Sequence, residues 1–154
     1  MRRTGILHPE LAQCLAAIGH GDMLVLADAG LRIPRGRPAI DLRLVAGVPD
    51  MTVVLDAVVN DAVFESAIVA TEWADWNPRR RADVVAAIPV PVSELPHDEL
   101  IADIGDRVHT YVRTAECSAF ASIWLVGGVS YLDEAVELRH RAQDTETTQQ
   151  GDAQ

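Results

Sequence analysis

Apolar positions along this chain fall into two alternating patterns. Residues 8–22, HPELAQCLAAIGHGD, place Leu11, Leu15 and Ile18 at helical spacing. Pro9 suits the first turn of that helix, and Gly19 or Gly21 suits its left-handed stop. Residues 23–30, MLVLADAG, then form a continuous apolar run closing on Asp28 and Gly30, the mark of a parallel strand buried on both faces. The stretch 31–40, rich in proline and arginine, predicts a loop. IDLRLVAG, 40–47, alternates and predicts a short strand. VPDMTVVLDAVVNDA, 48–62, predicts a helix with Val53, Val54, Ala57 and Val58 on one face.

The pattern then repeats. FESAIVATE, 64–72, reads as a second buried strand ending at Thr71 and Glu72. WADWNPRRRADVVAA, 73–87, predicts a surface helix or turn interrupted at Asn77-Pro78. IPVPVSEL, 88–95, predicts an edge strand, because its prolines cannot donate to a central ladder. PHDELIADIGDRV, 96–108, predicts a helix with an acidic first turn. HTYVRTAE, 109–116, and SIWLVGGVSY, 122–131, are two further strands or a strand and a helix. LDEAVELRHRA, 132–142, suits an extra helix, and the polar residues 143–154 predict a disordered tail. Strands alternating with helices imply a single α/β layered domain whose largely parallel sheet is flanked by helices. Such sheets bind ligands at the carboxyl ends of their strands, where Asp28 and Glu72 fall.

Composition narrows the chemistry. At 154 residues and 49% hydrophobic, the chain can bury one real core. No apolar run approaches a membrane span and no signal peptide is evident, so a cytoplasmic protein without a membrane partner is expected. A formal charge of −10 argues against nucleic acid and favours a neutral ligand. All 13 basic residues are arginine, which removes Schiff-base and pyridoxal chemistry and the phosphate-loop lysine. Cys14 and Cys117 make neither a disulfide framework nor a zinc spacing, and no histidine has a partner at ligand spacing, so no metal is expected.

His20, between two glycines at a predicted helix end, and Asp28, at a predicted strand end, form the leading pair. A helix C-terminus and a nearby carboxylate both favour a proton-exchanging imidazole. A polar helix cap and a loop cap explain the same two residues, and pattern alone leaves both readings open. His97 fits a helix start. His8 and His109 read as structural or surface residues, and His140 as exposed. VRTAECSAFAS, 112–122, reads either as a turn held by an Arg113–Glu116 ion pair or as a ligand loop presenting Phe120 and Ser122. Trp73 and Trp76 either cover the core edge or stack on a ring-shaped ligand.

Taken in order, GILHPEL, LAAIGHGDMLVLADAGLRIP, IDLRLVAGVP, AIVATE, NP, PHDEL and RTAECSAFASIWLVGGVSY resemble the D-ribose pyranase and L-fucose mutarotase family, nearer its ribose branch. The GH-x-D…D-A-G-x-x-I-P block is specific, and the resemblance spans nearly all of residues 4–131. It implies an α/β fold in a ring-like homo-oligomer, commonly a decamer, with sites at subunit boundaries. It also implies cofactor-free interconversion of the ring forms of a free monosaccharide. By motif match, His20 is the expected catalytic acid and Asp28 and His97 the expected sugar contacts, with Asp28 reaching the same cleft as His20.

The match departs where the family usually carries P-Y-A-N. Here the residues are Ala119-Phe120-Ala121-Ser122, and Phe120, Ala121 and Ser122 are the corresponding sugar contacts. The change removes a phenolic hydroxyl and a two-way amide, each worth on the order of 1 kcal/mol to a sugar hydroxyl. Arg32 stands where the family tends to have proline, and the His97–Arg113 spacing is about one residue long. The chain also continues past the family's usual end near Tyr131. These departures leave two alternatives beside a ribose-type isomerase: a non-catalytic sugar-binding or regulatory protein that keeps the fold, and a structural ring-forming partner.

Overall fold

A computed structural model describes residues 4–102 and 107–129; the expected helix 132–142, the tail 143–154 and His140 lie outside those residues. The elements run α1 (Pro9–Ala17), β1 (Met23–Ala27), β2 (Ala39–Asp41), α2 (Met51–Val59), β3 (Phe64–Ala70), α3 (Trp73–Trp76), α4 (Pro78–Val85), β4 (Val92–Leu95), α5 (His97–Ala102), β5 (Val108–Arg113) and β6 (Ile123–Gly127). Six strands form one sheet in the order β2-β5-β1-β6-β3-β4. β6 runs antiparallel between β1 and β3, and the other pairings are parallel. The fold is the expected α/β layer, and IPVPVSEL supplies the edge strand β4.

β1 is buried at every residue, and the two core clusters show why its run is continuous rather than alternating. Leu24 and Leu26 face a core built with Leu11 and Leu15 of α1, Val54, Leu55 and Val58 of α2, and Trp73 of α3. Met23, Val25 and Ala27 face the opposite side, against Leu31, Leu100 of α5, Tyr111 and Trp124. Successive strand side chains point to opposite faces, so both must be apolar when both are covered. Burying each of the larger ones, Met23, Leu24, Val25 and Leu26, contributes about 1.5–3 kcal/mol. Among the described residues, no helix is long and apolar enough to cross a membrane.

Three elements differ from expectation. α2 buries Met51, Val54, Leu55 and Val58, while Val53 and Ala57 face outward. Asp50 caps the helix by accepting from the Val53 N–H, and Met51, Val54, Leu55 and Val58 make the i, i+3, i+4, i+7 stripe of bulkier side chains that faces the core. The strand expected over 40–47 is confined to Ala39–Asp41, because from Leu42 onward the chain turns away to the Val45–Val48 bridge. α1 stops at Ala17, with extended Ile18 as its cap, two residues before the first glycine.

The glycines after α1 serve a turn instead. Gly21 has φ of +81°, a conformation with little cost only for glycine. Its N–H donates to the Gly127 carbonyl at 2.9 Å, and the Gly127 N–H donates to the Asp22 carbonyl at 2.8 Å. A Cβ on Gly127 would stand 2.5 Å from the Gly19 carbonyl oxygen. The end of β6 therefore clamps the turn that carries His20. Gly127→Ala is expected to destabilise the protein by about 1–3 kcal/mol, the usual cost of overpacking, as a lower urea midpoint at unchanged slope. An unchanged midpoint would show that the turn is not clamped.

Candidate functional site

Asp28 closes β1 at the carboxyl end of the parallel strands and is only 7% exposed. Its Oδ1 accepts the Gly30 N–H at 2.9 Å, the loop-cap geometry. Its Oδ2 accepts the Ser122 hydroxyl at 2.7 Å, and the Ser122 Oγ accepts the Asp28 N–H at 3.0 Å. A hydroxyl has one proton to donate, and Ser122 gives it to Asp28. Ser122 and Ala121, two of the expected sugar contacts, are completely buried in this chain. Ala121 belongs to the apolar core, and Ser122 acts on the site by holding the carboxylate still.

A histidine and two aromatic rings gather at the same end of the sheet. His97 opens α5, and its N–H lies 3.1 and 3.0 Å from the two carboxylate oxygens of Glu72, which follows β3. Slight desolvation pushes the Glu72 pKa up. The N–H groups of Glu72 and His97, the Thr71 hydroxyl and the His97 charge outweigh it and hold the carboxyl below its ordinary range. The Phe120 ring meets the His97 ring edge-on at 5.0 Å and Trp76 at 5.5 Å. Phe120 reaches this position at φ of 60°, a region that costs a bulky residue on the order of 1–3 kcal/mol and clusters at functional sites. Trp73 is buried core, whereas Trp76 is 69% exposed. The His97 Nδ1 is buried without a hydrogen-bond partner.

The loop that delivers Phe120 is anchored by charge, though not by the expected pair. Glu116 bonds Arg80 of α4, with its Oε2 2.9 Å from Nε and 2.7 Å from Nη2, and Arg80 also reaches Asp50 at 3.2 Å. Arg113 instead donates to the Leu31 carbonyl at 2.8 Å. It lies in β5, where its side chain is carried toward the 31–38 loop rather than the turn. The other Glu116 oxygen accepts the Ser118 N–H at 3.0 Å, and Asn77 donates to the Ser118 hydroxyl at 3.2 Å. Burial pushes the Glu116 pKa up, but the Arg80 and Ser118 hydrogen bonds and the Arg80 charge outweigh it and leave the carboxyl below its ordinary value.

His20 is elsewhere. It precedes β1 at the opposite end of the strand, where its Nε2 lies 3.0 Å from the Glu65 Oε2. At roughly 3.3 Å per strand residue, the backbone of Met23 stands about 16 Å from that of Asp28. A single chain therefore does not bring His20 and Asp28 into one cleft. A buried strand with a residue at each end separates them by its own length. His20 does not cap carbonyls either; its partner is a carboxylate that sequence reasoning missed, although Glu65 is the one charge in an otherwise weakly polar strand. A cavity of about 460 Å³ borders the Asp28 end, but its lining of Ala29, Asp41, Arg43, Leu44, Val45, Ala46, Ala115 and Cys117 does not include Asp28, His97 or Phe120. His8 accepts the Leu11 N–H as the cap of α1, and His109 lies 3.8 Å from buried Cys14.

A mostly parallel sheet whose carboxyl rim gathers a fixed carboxylate, a histidine and aromatic rings has the layout of a small-molecule binding α/β domain. The chain belongs to the RbsD / FucU transport protein family, whose sequence profile matches residues 1–130. A D-ribose pyranase of Variovorax paradoxus (strain S110) is 41% identical over 136 residues, spanning 85% of this chain and 100% of the relative. A D-ribose pyranase of Geobacillus kaustophilus (strain HTA426) is 40% identical over 132 residues, spanning 85% and 96%. Among solved structures, Bacillus subtilis RbsD complexed with D-ribose superposes at a TM-score of 0.77 with 31% identity, covering 84% of this chain and 98% of that one. The fucose mutarotase of Streptococcus pneumoniae, solved with L-fucose, shares the fold at a TM-score of 0.62 and 22% identity, covering 80% and 94%.

The Arg80–Glu116 contact predicts a pH dependence. The folded-state pKa of Glu116 lies below its unfolded value, so the folded protein binds fewer protons there. The stabilisation is complete above the unfolded pKa and is lost as pH falls through the folded one. Arg80→Met should cost about 1.5–3 kcal/mol near neutral pH, the range for hydrogen bonds to charged groups. The difference from wild type should shrink below the ordinary carboxylate range in urea titrations. A constant difference at all pH values would contradict the assignment.

Proposed function

We propose that this protein is a ring-form isomerase of a free aldose such as D-ribose, converting pyranose to furanose or one anomer to the other. The observation that carries this reading is the identity of about 40% to D-ribose pyranases across essentially their whole length. Opening a cyclic hemiacetal requires a proton delivered to the ring oxygen and one withdrawn from the anomeric hydroxyl. Reclosure through another hydroxyl changes the ring size, and reclosure on the other carbonyl face changes the anomer. His20 is the proposed acid, and a placed imidazole contributes roughly 10²–10⁴-fold by proton transfer. Asp28 accepts sugar hydroxyls, and His97 and Phe120 complete the rim. The reaction needs no cofactor.

The separation of His20 from Asp28 gives this reading a structural requirement. The site is assembled from two copies, one supplying the Asp28–His97–Phe120 rim and its neighbour the exposed His20. A ring-like homo-oligomer, decameric in this reading and cytoplasmic, satisfies that requirement, because a contact between unlike patches generates rings when the rotation closes.

The test is exchange spectroscopy on D-ribose, in which NMR line broadening reads interconversion between ring forms. Wild type should accelerate exchange, and His20→Ala and Asp28→Asn should each abolish it. Mixing the two inactive variants through dissociation and reassembly should restore about one quarter of the sites, those pairing an intact rim with an intact His20. No recovery on mixing would place both groups in one chain and sink the shared site. Ribose binding without accelerated exchange in wild type would instead favour a sugar-binding protein that keeps the fold, the reading motivated by Phe120 and Ser122.

Phe120→Tyr should lower the ribose KM about fivefold, the equivalent of one regained hydrogen bond of about 1 kcal/mol. An unchanged or higher KM would mean that the missing hydroxyl does not limit ribose binding.

A further inference from the structure

We propose that Glu65 is the positioning residue for His20, holding the imidazole by Nε2 so that Nδ1 is the nitrogen that exchanges protons with the sugar. This rests on the ring-isomerase reading above. An imidazole serving as acid needs a partner that fixes its orientation and tautomer. Asp28 of the same chain, at the far end of β1, cannot be that partner. Glu65 is, with Oε2 3.0 Å from Nε2. An ionised carboxylate only accepts hydrogen bonds, so Nε2 carries the proton of this contact. In the neutral ring Nδ1 then holds the lone pair, and in the imidazolium it holds the proton to be delivered.

An exposed ion pair between two flexible side chains would be incidental. Here the backbone is pinned on both sides. The turn around His20 is tied to β6 through Gly21, Asp22 and Gly127. It is tied again by the Gly19 N–H on Asp22 at 2.9 Å and by Arg107 on the Gly21 carbonyl at 3.3 Å. β3 leaves Glu65 beside the same strand end, because Phe64 pairs with Gly127. Forty-five residues separate the two side chains in sequence, so the sheet itself brings them together. The pair still presents half-exposed side chains, 59% for His20 and 46% for Glu65, leaving the imidazole accessible to a neighbouring copy.

The test combines kinetics with the state of the resting ring. Glu65→Ala should lower kcat for D-ribose ring exchange roughly 10- to 100-fold, part of the proton-transfer contribution, with KM within about twofold of wild type. Glu65→Asp, which keeps the charge, should recover part of that loss. Imidazole ¹⁵N shifts of His20 in the sugar-free oligomer should report the Nε2–H tautomer in wild type and a mixture of tautomers in Glu65→Ala. Unchanged kcat in Glu65→Ala, with His20→Ala inactive, would overturn the positioning role while leaving the isomerase reading intact. Unchanged ¹⁵N shifts would overturn the tautomer assignment without any appeal to turnover. Full activity in His20→Ala would remove the role of His20 and this proposal with it.

Discussion

β1 lies in the middle of the sheet with β5 on one side and β6 on the other, and both of its faces are covered. A strand confined in this way can neither slip by one residue nor bend. A one-residue slip would send Leu24 and Leu26 to the face now filled by Met23, Val25 and Ala27. Its length is therefore a fixed spacer between the turn at its start and the carboxylate at its end. The candidate site residues Asp28 and His20 stand at its two ends. That separation is what makes the proposed isomerase site depend on a second copy.

Each end is held by contacts that no local pattern announces. At the carboxyl end, the loop after β5 is held by Glu116 on Arg80, and that anchor makes the unusual backbone of Phe120 tolerable. Strain of this kind persists only where its surroundings over-determine it, and the buried Asp28–Ser122 pair on the next residues supplies the rest. At the amino end, β6 arrives antiparallel and presses Gly127 against the Gly19 carbonyl. β6 thus begins three residues after Phe120 and ends against the turn that carries His20. It secures both ends of its neighbour.

Much of this architecture was legible in the sequence. The continuous run in MLVLADAG, the prolines of IPVPVSEL, the helix start at Pro9 and the interruption at Asn77-Pro78 follow from strong local rules, and the strands, the helix start and the break between α3 and α4 fall there. What the pattern could not convey was distance. His20 and Asp28 are eight positions apart, but five of the seven residues between them form the extended strand β1, so closeness in sequence became separation in space. The pairings His20–Glu65, Arg80–Glu116 and Asp28–Ser122 join residues 36 to 94 positions apart, and only the sheet order brings them together. The buried face of α2 is the one carrying Met51 and Leu55, whose bulk outweighed the apolar spacing of Val53 and Ala57. The motif resemblance identified the residues at the carboxyl rim. It did not reveal that Ser122, buried and bonded to Asp28, acts behind the surface.

The distribution of indole rings has an optical consequence. Trp73 and Trp124 are sealed in the two cores, at 0% and 1% exposure, whereas Trp76 stands in solvent against Phe120. A water-borne quencher such as iodide therefore meets one emitter and misses the other two. The molecule carries its own label at the rim, and any event that covers that ring can be followed in the unmodified chain by the change in quenching.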